Sequence, residues 1–159
     1  MATEIERKFL VEGDAWRAAA DEGTPYLQGY LASGEGATVR VRMAGPKGKL
    51  TIKGKSQGIA RAEYEYSIPA ADAEAMLRTL CKGHLVEKTR YRIPVGAHVW
   101  ELDVFAGANA GLVMAEVELG AEDEAFERPA WAAREVSDDA RYFNAYLARR
   151  PFTTWDDGS

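Results

Sequence analysis

Glu4, Glu6 and Lys8 alternate with Ile5, Arg7 and Phe9. On a strand this puts the two carboxylates and the amine on one face, with Ile5 and Phe9 on the other and Arg7 between them. The same grammar returns along the chain with one sign of charge per strand. Acid pairs stand at Glu63/Glu65, Glu101/Asp103 and Glu116/Glu118, and bases at Arg40/Arg42, Lys53 and Lys88/Arg90. A water-facing antiparallel sheet is the plainer account of any single strand. Solvated faces, however, mix both signs with Ser, Thr and Gln, and like charges at successive same-face positions repel. Taken together, the segregation predicts acidic and basic strands facing one another across a shared cavity, in a sheet closed into a barrel without exposed edges. Such a cavity is costly when empty and dry. Guanidinium groups grip phosphate oxygens in a planar fork, and lysines act as point charges. Clustered carboxylates suit a hard cation such as Mg²⁺, which accepts a few carboxylates plus waters and substrate oxygens. The expected occupant is therefore a polyanion, held by the basic wall and bridged through metal to the acidic one. A polyphosphate satisfies both walls, whereas a simple carboxylate would use far fewer cations.

The elements that must position these residues follow from period and punctuation. Alternation predicts strands over 4–10, 26–31, 38–43, 49–53, 62–68, 85–93, 99–105 and 113–119. Gly34-Glu35-Gly36 and Ala44 to Gly48 read as turns, and Gly54 to Gly58 as a polar loop. Asp14 is placed to cap a short helix through Ala20 that Gly23 ends, and Ala73, Met76, Leu77 and Leu80 give a helical period over 70–82, stopped at Gly83. A helical turn is expected over 122–127. A last helix is expected from an N-cap at Ser137 to about Arg149, burying some of Tyr142, Phe143, Tyr146 and Leu147. These elements predict an α+β protein, mainly β: one domain over 1–150 with seven or eight antiparallel strands and helices outside, followed by a polar tail over 151–159.

The chain has 159 residues, 47% hydrophobic and 28% charged, enough for one domain with a real core. Its net charge of −5 argues against a general nucleic-acid binder, and it shows no apolar run of membrane-spanning length and no signal-peptide pattern. Cys81 is the sole cysteine, read as structural, which fits a reducing cytoplasm. His84 and His98 lack partners at zinc spacing, and Gly45-Pro46-Lys47-Gly48-Lys49 lacks the spacing of a P-loop.

Glu4-x-Glu6-x-Lys8 resembles the N-terminal signature of the CYTH superfamily, the triphosphate tunnel metalloenzymes. The likeness continues through Gln28-Gly29-Tyr30-Leu31, Arg40-x-Arg42, Thr51-x-Lys53, Arg61-x-Glu63-Tyr64-Glu65 and Val86-Glu87-Lys88-Thr89-Arg90-Tyr91. Glu101-Leu102-Asp103-Val104-Phe105, Glu116-Val117-Glu118 and Asp139-x-Arg141-Tyr142-x-Asn144 complete the series. The resemblance implies a closed eight-stranded antiparallel tunnel that binds triphosphates with Mg²⁺ or Mn²⁺. It implies phosphate-gripping roles for Arg40, Arg42, Lys53, Lys88 and Arg90, with help from Arg61. It implies metal-binding roles for Glu4, Glu6, Asp103, Glu116 and Glu118, with Glu101 beside them. Glu63 and Glu65 would contribute acid or supporting hydrogen bonds. Lys8 and Tyr30 match a lysine–tyrosine pair of the compact bacterial tripolyphosphatases. A Tyr30 hydroxyl bonded to a neutral Lys8 amine would let that amine orient or deprotonate the attacking water, with activity better at alkaline pH.

The cyclase branch of the superfamily usually carries His-Phe where this chain has Gly29-Tyr30, and no aromatic clamp for thiamine is evident. Hydrolysis of inorganic tripolyphosphate to pyrophosphate and phosphate is accordingly the expected activity, with nucleoside triphosphates as weaker substrates. The alternatives are a class IV-type adenylate cyclase, a nucleoside or thiamine triphosphatase, and a non-catalytic polyphosphate- or nucleotide-binding module. Neither nucleic acid nor membrane is an expected partner.

Overall fold

Two-residue alternation folds most of this chain into strands, and their pairing closes a ring. The computed structural model describes residues 3–34 and 36–155, so the turn residue Glu35 and residues 156–159 of the expected tail lie outside the described residues. The chain runs through β1 (Thr3–Val11), a 3₁₀ turn (Ala15–Ala19), β2 (Thr24–Ser33), β3 (Ala37–Ala44), β4 (Lys47–Gly54) and β5 (Ala60–Ile68). It continues with α1 (Ala70–Thr79), β6 (Lys82–Val95), β7 (His98–Ala106), β8 (Val113–Glu118), β9 (Ala132–Glu135), a 3₁₀ turn (Ala140–Tyr142) and α2 (Asn144–Arg149). The hydrogen-bonded order is β5-β4-β3-β2-β6-β7-β8-β1-β9, and β1 also pairs with β5. That last pairing, through Thr3↔Ala62, Glu4↔Arg61 and Ile5↔Ala60, closes eight antiparallel strands into a barrel. β1 serves three partners by changing them along its length, with β8 beside Glu6 to Leu10 and β9 beside Phe9 and Val11. The expected fold is observed, with β9 as one strand more.

Register decides what faces inward. Cross-strand partners Glu6↔Glu118, Lys8↔Glu116, Glu101↔Glu116, Arg90↔Asp103, Arg40↔Thr51 and Lys53↔Glu63 share the inner face. The intervening apolar residues face out; most are covered, while Tyr64, Tyr66 and Val99 stay exposed. α1 lays Ala73 and Leu77 over Val41, Met43 and Leu50. An isolated ten-residue helix is marginal, so burial of Leu77, worth about 1.5–3 kcal/mol, holds it on the sheet. Trp16, Phe126 and Trp131 pack over Phe9, Trp100, Leu102 and Val117.

At one end the inner face itself turns apolar. Leu10, Tyr30, Val86, Phe105 and Met114 meet Tyr142, Leu147 and Ala148 there, with Phe152 and Trp155 behind them. The C-terminal segment therefore stops one mouth of the barrel, and residues 151–155 pack on it instead of trailing away as a polar tail.

Several element boundaries differ from expectation. α1 ends at Thr79, and Lys82-Gly83-His84 opens β6. Gly83 has φ +76°, and a Cβ there would sit 2.6 Å from the Ala148 carbonyl oxygen, so this glycine is a close-approach site and not a helix stop. The helix expected from Ser137 is split: Asp139 caps the 3₁₀ turn by accepting from Arg141 N, and α2 begins only at Asn144. The helical turn expected over 122–127 shrinks to one hydrogen-bonded turn, closed by Glu124 N donating to Ala121 O, with irregular backbone after it. Asp14 precedes its 3₁₀ turn without a side-chain capping bond. At Gly83 the close approach of Ala148 outweighs a local helical preference. No helix among the described residues is long and apolar enough to cross a membrane.

Candidate active site

Strand order sorts the inward charges into two arcs. β4, β3, β2 and β6 are neighbours in the ring and carry Lys53, Arg40, Arg42, Lys88 and Arg90, while β7, β8, β1 and β5 carry Glu101, Asp103, Glu116, Glu118, Glu4, Glu6, Glu63 and Glu65, with Lys8 and Arg61 as cations among them. Between the arcs lies a cavity of about 510 Å³. It is lined by every expected site residue except Asp103, whose carboxylate lies behind Lys88 and Arg90. Lys8, Lys88 and Asp103 are buried at its depth, whereas Arg92 and Glu118 are exposed at the open mouth.

The basic arc is held in place by neutral and acidic partners. Asp103 accepts both Arg90 Nε (2.8 Å) and Arg90 Nη2 (2.9 Å), and its Oδ2 also lies 2.8 Å from Lys88 Nζ. Burial pushes the Asp103 carboxyl up, but Arg90 and Lys88 outweigh it and hold it at about 2. Burial, reinforced by Arg90 and Arg42, pulls Lys88 down to about 7 against Asp103. Burial and the guanidiniums of Arg40 and Arg90 lower Arg42 to about 9, so it stays charged at neutral pH. Tyr26 lies between two of these cations, its ring 4.6 Å from Arg42 and 5.0 Å from Arg90. Such cation–π contacts offset part of the repulsion between the cations. Arg40 donates to Thr51 Oγ1 (3.1 Å), which donates to Glu65 (3.0 Å). The buried Arg40 Nε has no hydrogen-bond partner among the described residues. Arg61 donates to the Gly54 carbonyl (3.1 Å), and Lys53 bridges Glu4 (3.0 Å) and Glu63 (3.5 Å).

In the acidic arc carboxylates crowd one another. Burial and the adjacent Glu116 raise Glu6 well above the usual carboxylate range. Burial also pushes Glu116 up, but Lys8, the Glu6 hydrogen bond and Arg90 hold it well below that range. Burial and neighbouring carboxylates raise Glu63 and Glu118 as well. Among the described residues no three His, Cys, Asp or Glu side chains are already gathered so as to hold a metal ion. The donor chemistry nevertheless fits a hard divalent cation, because Mg²⁺ needs only one or two carboxylates beside water and phosphate oxygens.

Lys8 and Tyr30 both line the cavity, but on strands diametrically opposite in the ring. The expected hydrogen bond between them is absent among the described residues. Lys8 Nζ instead donates to the Tyr142 carbonyl (3.2 Å) and lies 5.1 Å from the Phe143 ring. Its backbone is clamped as well, since Lys8 N donates to Ser137 Oγ (2.9 Å) and Val136 N donates to Lys8 O (2.8 Å). Residues outside the predicted set thus shape the site. Gln28 and Thr51 share the parity of Tyr30 and Lys53 and were legible on that ground; Ser137, the Tyr142 carbonyl and Asn144 lie outside the strands, where two-residue parity does not apply.

The family model described as "CYTH domain" matches residues 2–150. The inorganic triphosphatase of Acetivibrio thermocellus is 46% identical over 152 residues, covering 96% of this chain and 97% of that protein. The inorganic triphosphatase of Nitrosomonas europaea is 41% identical over 151 residues, 92% of this chain and 97% of its own. A solved crystal structure of an inorganic triphosphatase superposes with TM-score 0.63 at 37% identity, over 93% of this chain and 95% of that one.

Proposed function

Because the chain belongs to the CYTH domain family, we propose that it hydrolyses inorganic tripolyphosphate to pyrophosphate and phosphate in a divalent-metal-dependent reaction. The observation that carries this reading is the division of one cavity into a cationic and a carboxylate arc, with the buried Arg40 Nε left without a partner. An unmade bond on a buried guanidinium is costly, and a phosphate oxygen would supply it. The two inorganic triphosphatase relatives and the matching crystal structure support the same substrate.

Arg40, Arg42, Lys53, Lys88 and Arg90 would bind the polyanion and stabilise charge that develops on its oxygens, with Arg61 assisting near the closure of the ring. Glu4, Glu6, Glu116 and Glu118 would hold the metal, with Glu101 beside them; Mg²⁺ is the expected ion and Mn²⁺ the alternative. When bound, such a cation supplies Lewis-acid polarisation of phosphoryl oxygens. Asp103 is engaged by Arg90 and Lys88, which favours a role in holding those cations over direct ligation. Glu63 and Glu65 steady Lys53 and Arg40. Lys8 would orient or deprotonate the attacking water, and Tyr30 would bound the space where it acts. Of the aromatic residues lining the cavity, Tyr26 lies against Arg42 and Arg90 and Phe143 near Lys8, which supports selection through the phosphates. The acidic balance and the narrow tunnel favour a small polyanion over nucleic acid, and the single cysteine favours a reducing cytoplasm.

Phosphorus NMR of tripolyphosphate with Mg²⁺ and purified protein tests the reaction. Pyrophosphate and phosphate appearing in equal amounts support it. Cyclic AMP and pyrophosphate formed from ATP, with tripolyphosphate untouched, would overturn it in favour of a cyclase.

A further inference from the structure

Asn144 begins the helix that stops the tunnel, yet its side chain points into the phosphate-gripping wall. Its Oδ1 accepts from Lys88 Nζ at 2.9 Å and from Gln28 Nε2 at 3.0 Å. Gln28 is fully buried, and its own Oε1 accepts from Arg42 Nε at 2.7 Å. One amide oxygen on α2 thus fixes an ammonium directly and a guanidinium through one intermediate. Asp103 also holds Lys88 at 2.8 Å, but the link between Lys88 and Arg42 runs through the neutral amides of Asn144 and Gln28. Buried hydrogen bonds to charged groups are among the stronger polar contacts in proteins.

We propose that Asn144 is a positioning residue for substrate: it sets Lys88 and, through Gln28, Arg42, so that closing the tunnel end and assembling the phosphate grip are one event. The inference rests on the proposed triphosphate reading. It assigns α2 a second task besides plugging the barrel with Leu147 and Ala148. The cost of losing the bond would fall on binding of the phosphate chain and not on the attack by water, because Lys8 is held separately by the Tyr142 carbonyl and Ser137.

The test compares Asn144→Ala and Asn144→Leu with the unmodified chain. Tripolyphosphate affinity is measured calorimetrically with EDTA present, and kcat and KM with Mg²⁺. Unmodified protein that neither binds nor hydrolyses tripolyphosphate contradicts the underlying reading, whatever the variants do. If it does both, both substitutions should weaken Kd and KM about tenfold or more, by loss of a charged hydrogen bond, with kcat within about threefold. Leu keeps the branched shape of Asn and at least fills its space without its oxygen, so a residue that merely packs would be rescued by Leu; such rescue would overturn the proposal. Gln28→Leu leaves α2 untouched and serves if the Asn144 variants fail to fold. It should weaken Kd comparably, and the Asn144→Leu/Gln28→Leu double variant should be little worse than the worse single one. Unchanged Kd in Gln28→Leu, or losses that multiply in the double variant, would contradict the relay.

Discussion

Lys8 is the most consequential side chain at the scale of single residues, because it is buried among groups that fix it from both ends. A group that transfers or orients a proton contributes about 10²–10⁴-fold to rate. Lys8→Ala should therefore lower kcat at least a hundredfold with little change in melting temperature, and near-normal turnover would remove it from the mechanism. Lys88 gives a different signature. Its ordinary value of 10.5 is pulled down to about 7, so at pH 8 it is mostly neutral in the free tunnel. A bound polyanion favours the charged amine, so binding must take up a proton there. Titrating tripolyphosphate at pH 8 in buffers of different ionisation enthalpy should show more proton uptake by the unmodified protein than by Lys88→Met, for which the ligand bears the same protons. The difference should shrink below pH 6, where Lys88 is already charged. Equal proton counts for the two proteins at pH 8 would contradict this. Most of this chemistry was legible in the sequence, since the two-residue alternation alone placed Arg40, Arg42, Lys88 and Glu116 on the inner face. The partner of Lys8 was not, because a backbone carbonyl at Tyr142 leaves no mark on residue type.

Among the elements, α2 is the one that sequence described least well and that the site depends on most. Six residues cannot sustain a helix alone; Leu147 and Ala148 hold it against Val86, Phe105 and Met114. Leu147→Ala should cost about 2–5 kcal/mol, visible as a lower melting temperature, and should weaken tripolyphosphate binding as Asn144 shifts. Gly83 lets β6 pass beneath α2 in a left-handed conformation. Gly83→Ala should destabilise by at least about 1–2 kcal/mol from backbone strain alone, and an unchanged denaturation midpoint would refute the close approach. The helical pattern over 137–149 was real but was broken by the capped turn at Asp139 and by the need to seat Asn144 in the tunnel. β9 escaped notice because four residues with little alternation gain their strand only from the edge of β1.

At the scale of the whole molecule, the order of strands is what turns scattered charged pairs into a site. Along the sequence acid and base strands interleave; around the ring they segregate, because β2 joins β3 to β6 and β1 joins β8 to β5. The sign of each strand could be read from residue types, and the need for a closed cavity from the cost of so much buried charge. Which strands become neighbours could not, since that depends on a crossover from β5 through α1 to β6 that carries no local signal.

Whether this divided tunnel hydrolyses inorganic tripolyphosphate with a divalent metal is decided by following phosphate release. Purified protein is given tripolyphosphate, ATP or thiamine triphosphate in turn, each with Mg²⁺ and again with EDTA. Rapid release from tripolyphosphate, slower release from the organic triphosphates and none with EDTA is the predicted result. Equal turnover with EDTA, or no turnover of tripolyphosphate that nonetheless binds tightly, would contradict it and leave the tunnel a binding module.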